Sequence, residues 1–420
     1  VRFPDSRSTL TIIATFFLAS AVAIQPAQAQ TFKVLHTFHG KDGANPTDVL
    51  IRDAAGNLYG TTGVGGSGTC SGGEGCGTVF KMDKTGKEVW LHKFNGANGA
   101  NPYAGLLRDE SGTLFGTTVY GGDTNCIAPY GCGTVFKLDK TGKKETMLHR
   151  FIGIPDGESP EALLVEDKAG NLYGTTYVGG AHGLGAVFKV SRAGKKKMLY
   201  SFTGGSDGCF PYSGVVRDSA GSLYGVAFEG GDGFCNSGKG VVFKVDTSGN
   251  ETVLHIFSGG SDGANPDSVL IFDSQGNLYG TTQNGGSSAC GGTGCGTVFR
   301  VSPGGDETVL YAFCSLSNCA DGETPLFGPL VMDKTGNLYG TTITGGTYSD
   351  CNGGSCGVVF KLGSSGKETV LHSFTGGSDG AFPYAGLTID PSGSLYGTAG
   401  YGGAKCYGSN TCGVVFKLTP

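Results

Sequence analysis

The chain has 420 residues, 79 of them glycine and 14 cysteine, with a formal net charge of −5. Mild acidity without a basic stripe excludes a nucleic-acid partner, and abundant glycine with no three-residue period excludes collagen. Valine, leucine, phenylalanine and tyrosine recur at fixed places, which excludes disorder, and short apolar runs between regular turns point to an all-β chain.

Residues 1–29 read as a secretory signal peptide. Arg2 and Arg7 make a weakly basic start, residues 10–24 are apolar, and Ala27-Gln28-Ala29 is a small-x-small cleavage site. The mature domain is expected over residues 30–420, with its charge shifted to about −6 by the loss of two arginines and one aspartate. No second apolar stretch follows, so no transmembrane segment is expected in the mature chain. An even number of cysteines in close pairs suits an oxidising compartment, hence a secreted, periplasmic or cell-surface protein, expected as a monomer. The clusters Lys143-Lys144 and Lys195-Lys196-Lys197 sit beside turns and read as solvated tips.

GNLYGTT begins at Gly56, Gly170, Gly276 and Gly336, and looser copies begin at Gly112, Gly221 and Gly393. The seven copies are 51 to 60 residues apart. One unit shows what repeats. Residues 104–108 (AGLLR) form a first apolar run, 113–118 (TLFGTT) a second, 133–138 (GTVFKL) a third and 145–151 (ETMLHRF) a fourth. The first and second runs are joined by a D-x-x-G turn, in which the aspartate accepts backbone N–H bonds and glycine takes a positive φ. All seven units keep it, from Asp53/Gly56 to Asp390/Gly393, so these carboxylates read as turn residues. Four short strands per unit, seven times, predict a seven-bladed β-propeller. Residues 32–38 (FKVLHTF) match a fourth strand and residues 413–418 (GVVFKL) a third, so one blade is expected to be closed by the N-terminal strand.

The string "LYGTT…GG…GCGTVFKL…ETVLHSFTGGSDGANPYAGL", present over residues 32–418, resembles the choice-of-anchor tandem repeat GloVer-containing proteins, exported bacterial repeat proteins. That resemblance brings no catalytic residues with it. No anchor is expected after the last strand, which ends two residues before Pro420. The D-x-x-G-x-L-Y motif is also similar to NHL-type propeller repeats, which bears on the fold alone.

In such a blade the loop entering the first strand and the loop joining the second and third lie on one face. All the cysteines fall there. Cys70/Cys76, Cys126/Cys132, Cys290/Cys295, Cys351/Cys356 and Cys406/Cys412 each sit within one second-to-third-strand loop. Cys314/Cys319 lies in an entering loop, and Cys209 and Cys235 lie in the two loops of one blade. Local disulfides are expected. Thiolate metal sites are disfavoured, because zinc ligands usually show closer spacing and export favours oxidation.

Three sets of residues bear on function. His36, His92, His149, His255 and His372 share one fourth-strand position, with Tyr200 and Tyr311 in the other two units, so they are spread around the rim. The entering loop, G-x-D-G-x-x-P, carries Asp42, Asp156, Asp207, Asp262, Asp321 and Asp379, with Asn98 in the remaining unit. These are expected to ring the mouth of the central channel, as a negative funnel or a cation site for an ion such as calcium, or to be plain D-G turns. No other cofactor is expected. The two residues before each Gly-Gly vary between units and leave room for an individual site. With the tyrosines after the entering-loop proline, they make Tyr103, Tyr120, Tyr177, Tyr212, Glu229, Asn284, Tyr384 and Tyr401 candidate ligand-binding residues. The expected function is an extracytoplasmic scaffold that binds a glycan, peptide or protein partner on this face. The rivals are a polysaccharide hydrolase or lyase using the channel-mouth aspartates, and a purely structural surface protein. Loss of binding on changing Tyr120, Glu229 and Tyr401 separates binder from structural protein, and turnover abolished by Asp207→Asn supports the enzyme.

Overall fold

A computed structural model describes residues 30–420 except 125, 127–129, 352–353 and 407–410; the expected signal peptide lies outside the described residues. Seven antiparallel sheets form a ring, a seven-bladed β-propeller. The first blade contains Ile51–Arg52, Leu58–Thr62, Thr78–Met82 and Glu88–Lys93 in consecutive order. The last contains Thr388–Ile389, Leu395–Ala399 and Val414–Thr419, and is completed by the N-terminal strand Thr31–Thr37. Thr31 pairs with Thr419 and Thr37 with Val414, so the ring closes through the hydrogen bonds of one mixed blade. The fifth blade carries an additional strand, Ala264–Pro266, on its second strand.

The core is a series of seven interfaces. Each apolar cluster draws residues from two neighbouring blades; Val79 and Phe94 of the first, for example, pack with Leu106, Leu114 and Phe136 of the second. At each interface the phenylalanine that ends a fourth strand meets edge-on the phenylalanine of the next blade's third strand. Phe94 meets Phe136 at 5.1 Å, Phe202 meets Phe243 at 5.1 Å, and Phe38 meets Phe80 at 5.3 Å across the closure. Edge-to-face geometry suits the ring quadrupoles and adds to the area buried.

This packing accounts for the repeated LYGTT. Leu58 is in the core. Tyr59 donates its hydroxyl to Asp53 Oδ2 at 3.0 Å, tying the strand to its turn. Gly60 lies across from Phe80, and a Cβ there would stand 2.7 Å from the Phe80 ring. The hydroxyl of Thr61 donates to the Ala104 carbonyl of the next blade, and Thr62 bonds Thr78 within its own. The D-x-x-G turns form as expected: Asp53 Oδ1 accepts the Asn57 N–H, and Gly56, at φ 88°, donates to the Asp53 carbonyl.

The first strand is shorter than its sequence implies. The run at 104–108 yields only Leu107–Arg108. Residues 104 and 105 are engaged with the neighbouring blade instead, through Ala104 O and the Gly105 N–H, which donates to Asp48. Backbone groups committed sideways cannot join the ladder of their own sheet.

All fourteen cysteines are bonded, in the seven local pairs expected: Cys70–Cys76, Cys126–Cys132, Cys209–Cys235, Cys290–Cys295, Cys314–Cys319, Cys351–Cys356 and Cys406–Cys412. Their burial adds something the sequence did not address. The second cysteine of each second-to-third-strand pair does not lie on the loop surface. Cys76, Cys132, Cys295, Cys356 and Cys412 are fully buried and belong to the apolar clusters between blades. Cys132 packs with Phe115 and Phe151, Cys356 with Phe374, and Cys412 with Phe38 and Val64. The reason is position: each stands two residues before a third strand whose first residues are buried, so the chain has already entered the interface. The staple thus ties an outer loop to core.

Six pairs span 5 or 6 residues and Cys209–Cys235 spans 26. Loop-closure entropy then ranks them: replacing both Cys70 and Cys76 by serine should cost about 2 kcal/mol, and replacing Cys209 and Cys235 about 3.5 kcal/mol. Urea titration of the two variants checks the order, and equal losses would contradict it.

Candidate functional site

The entering loops build the centre of the loop face. Each begins at a fourth strand, on the outside, and crosses to the first strand, on the axis. The loop aspartates hold the outer end. Asp42, Asp156 and Asp379 bond the ring nitrogen of His36, His149 and His372 at 3.0–3.1 Å. Asp207 and Asp321 accept the hydroxyls of Tyr200 and Tyr311 at 2.8 and 2.7 Å. Asp262 stands 3.8 Å from His255. Of the alternatives weighed for these six carboxylates, the side-chain partners favour the turn: the side chains point back to the outermost strand rather than to the channel mouth. Asp207 is buried and also accepts the N–H and hydroxyl of Thr203, so Asp207→Asn tests loop structure rather than chemistry. The row of fourth-strand histidines and tyrosines is the other half of this anchor.

At the inner end the residue before each proline takes a left-handed conformation: Asn45, Asn101, Ser159, Phe210, Asn265, Thr324 and Phe382 have φ of 52–57°. That region is uncommon for residues other than glycine, and strain of this kind gathers at functional sites. The buried cysteines of the neighbouring blades hold five of these turns. The carbonyls of Cys76, Cys132, Cys295, Cys356 and Cys412 accept the N–H groups of Asn101, Ser159, Thr324, Phe382 and Asn45 at 2.8–3.0 Å. The turn brings the residue after the proline to the axis. In chain order this position reads Thr47, Tyr103, Glu161, Tyr212, Asp267, Leu326 and Tyr384. All but Leu326 line a cavity of about 430 Å³ on the axis. Asp48, Glu74, Phe327 and Tyr401 line it as well.

The wall is aromatic and acidic. Tyr103, Tyr212, Phe327, Tyr384 and Tyr401 supply rings, and Asp48, Glu74, Glu161 and Asp267 supply carboxyls. Among the described residues no lysine, arginine or histidine lines it. Asp267 is 1% exposed and lies near the Phe327 N–H without a well-formed hydrogen bond to either oxygen. Burial raises its pKa well above the usual carboxylate range. Burial likewise pushes Glu161 up to about 7. It pushes Asp48 up to about 7 too, against the opposing bonds from the Val49 and Gly105 N–H groups. The tyrosines brace one another: Tyr212 stacks on Tyr177 at 4.1 Å and meets Phe228 edge-on at 5.2 Å. Gly63 leaves room for the Tyr103 ring, which would lie 2.3 Å from a Cβ there.

Of the residues singled out in the sequence, Tyr103, Tyr212, Tyr384 and Tyr401 are on the cavity wall, and Tyr177 supports Tyr212. Tyr120 packs against Tyr130, Glu229 accepts the Asn236 N–H, and Asn284 donates to Asn265; these three are outside the lining. The acids Asp48, Glu161 and Asp267 were not foreseen. For Glu161 and Asp267 the signal was the variable residue after the proline, a position where the tyrosines alone stood out; Asp48 lies one residue further on.

Fold and site together define a ring propeller with an acidic, aromatic-walled axial cavity on its disulfide-held face. The profile of the Gloeobacter/Verrucomicrobia repeat matches residues 21–127, 68–293 and 288–420, and the chain belongs to that repeat family. No curated protein sequence matches it. Among solved structures it is similar to a catalytically inactive variant of virginiamycin B lyase from Staphylococcus aureus with quinupristin. That pair shares 12% identity and a TM-score of 0.58, over 93% of this chain and 99% of the other. The selenomethionine-substituted lyase from the same organism gives 13% identity and a TM-score of 0.57, over 93% and 100% of the two chains. A gluconolactonase from Xanthomonas campestris aligns at 15% identity with a TM-score of 0.42, over 92% and 88%. At 12–13% identity the likeness to the lyase is one of fold.

Proposed function

We propose that this chain is an extracytoplasmic recognition protein that takes a segment of glycan into the axial cavity. The observation that carries the reading is Asp267, a buried carboxyl without a satisfied hydrogen bond, set in a wall of aromatic rings. Such a group is costly to the fold and is supported by a ligand that completes it. Sugar rings offer apolar faces to tyrosine and hydroxyl donors to carboxyls. A peptide would also bring many carbonyl acceptors, for which a wall without lysine or arginine is poorly equipped. Seven disulfides favour an oxidising compartment, and no helix among the described residues is long and apolar enough to cross a membrane.

The test is calorimetric binding of the oxidised chain to a panel of neutral, amino and acidic oligosaccharides, with the supernatant assayed for cleavage products. Asp267→Asn should weaken binding about 3- to 10-fold, the scale of one hydrogen bond to a neutral group, while stabilising the free protein at alkaline pH, where the buried acid would otherwise have to lose its proton. Tyr384→Ala should weaken binding with little change in the fold. Binding indifferent to both variants would move recognition off the axis. Released product would replace the binding reading with the hydrolase or lyase.

A further inference from the structure

Two of the residues that follow the entering-loop prolines are acids, and their surroundings differ. Asp267 is sealed in the wall, whereas Glu161 is half-buried and lines the cavity. In ring order Glu161 stands between Tyr103 and Tyr212, which come from the blades on either side and line the same cavity. Burial first, and the Glu161 charge among the lesser causes, raises the pKa of both tyrosines, so the carboxyl lies near both hydroxyls. Those hydroxyls are engaged elsewhere, that of Tyr103 with the Asn101 side chain and that of Tyr212 with Tyr177. Among the described residues none donates a hydrogen bond to Glu161 and no lysine, arginine or histidine is coupled to it; burial alone moves it, up to about 7.

The same wall holds other buried polar atoms without partners. They are Ser213 Oγ, in a residue 6% exposed that directly follows Tyr212, Thr47 Oγ1, and both oxygens of Asp267. A ligand with several hydroxyls can complete them. Asp48, by contrast, already accepts the N–H groups of Val49 and Gly105. A metal ion suits the cavity poorly, because it draws its ligand atoms together. Asp48, Glu161 and Asp267 are not among the described groups whose ligand atoms lie within 4.8 Å of one another. An organic cation can meet one carboxylate while the rest of the molecule spans the cavity.

We infer that the axial cavity selects glycans that carry a free amine, with the ammonium seated on Glu161 between Tyr103 and Tyr212. This rests on the glycan reading of the cavity and adds the charge of its ligand. An ammonium donates charge-assisted hydrogen bonds to a carboxylate and is attracted to the faces of aromatic rings. Acetylation of the amine removes both interactions. Seating the ammonium favours the ionised carboxyl, so below about pH 7 binding releases a proton from Glu161.

The experiment is calorimetric titration of the oxidised full chain at about pH 6.5, where the carboxyl is still partly protonated, in two buffers of different ionisation heat. The probes are tetramers of glucosamine, of N-acetylglucosamine and of glucose. Wild type should bind the glucosamine tetramer about 10-fold tighter than either neutral one, the scale of a hydrogen bond to a charged group, and should release protons only with it. Glu161→Gln should bring that ratio to about one and end the proton release. Circular dichroism checks that the variant folds, and the wild-type series tests the preference without it. Equal affinity of wild type for the three tetramers, or proton release unchanged in Glu161→Gln, overturns the inference and leaves the glycan reading standing. Binding of none of the three overturns both.

Discussion

Phe136→Ala is expected to lower the unfolding free energy by about 3–5 kcal/mol, the cost of emptying a well-packed phenylalanine site. Phe136 is fully buried, meets Phe94 edge-on across two blades, and lies over Gly116. A Cβ on Gly116 would stand 2.7 Å from the Phe136 ring. Gly116→Ala should therefore cost about 1–3 kcal/mol through overpacking, although alanine is otherwise the better residue in a strand. Denaturant titration of the single and double variants tests the coupling. In the Phe136→Ala background the alanine should cost much less, because the cavity accepts it. Strict additivity would mean that the glycine is there for some other reason. Because the blades bury their faces in series around a closed ring, the loss should be shared by the whole domain as one transition.

The chain should be more stable at pH 5 than at pH 8. Burial raises Asp48, Glu161, Glu88, Glu251, Glu307 and Glu368 to about 7, and Asp267 is raised as well. Between about pH 4, where these groups titrate when unfolded, and pH 7 the folded chain holds protons that the unfolded chain has lost. Stability therefore falls as pH rises through that window and levels off above it. The turn aspartates act in the opposite sense: Asp167 is held at about 2, its bonds from Asn171 and Tyr173 outweighing burial, so its contribution disappears only at more acid pH. The interface glutamates are partly solvated and add less than their shifts imply. The cavity acids should still supply a few kcal/mol, read as a melting temperature higher by about 5 °C at pH 5. Asp267→Asn with Glu161→Gln should flatten the slope. A melting temperature that rises from pH 5 to pH 8 would contradict the assignment of these carboxyls as buried acids.

The residues behind these two expectations were not equally legible beforehand. Phe136 and Gly116 belong to a string written seven times, and the repeat alone marks them as framework. Asp267 and Glu161 occupy a position where the seven copies disagree, so no repetition points to them. Asp42 and its equivalents show the converse: repetition made them conspicuous, and their place near the first strand in sequence suggested the axis. The folded loop sends them the other way, because each aspartate is within reach of the histidine or tyrosine six to ten residues earlier and bonds it before the chain turns inward. The cysteines fall between these cases. Their pairing was legible from spacing, whereas the burial of Cys132, Cys356 and Cys412 depends on the neighbouring blade that covers them.

By itself the sequence determined everything that depends on neighbours along the chain: the four strands of each unit, the Asp–Gly turns, the disulfides across five or six residues, and the closing of one blade by both ends. Those are local in separation or repeated often enough to be read by comparison within the chain. Only the tertiary structure decided which side chains meet at the axis and at the joints between blades. The cavity gathers Asp48, Tyr103, Glu161, Tyr212, Asp267 and Tyr384 from six blades, and the closing joint brings His36 to Glu88 from opposite sides of a blade interface. Those meetings depend on the curvature of the ring and on the left-handed turn before each proline. Neither leaves a mark in the spacing of residues along one blade.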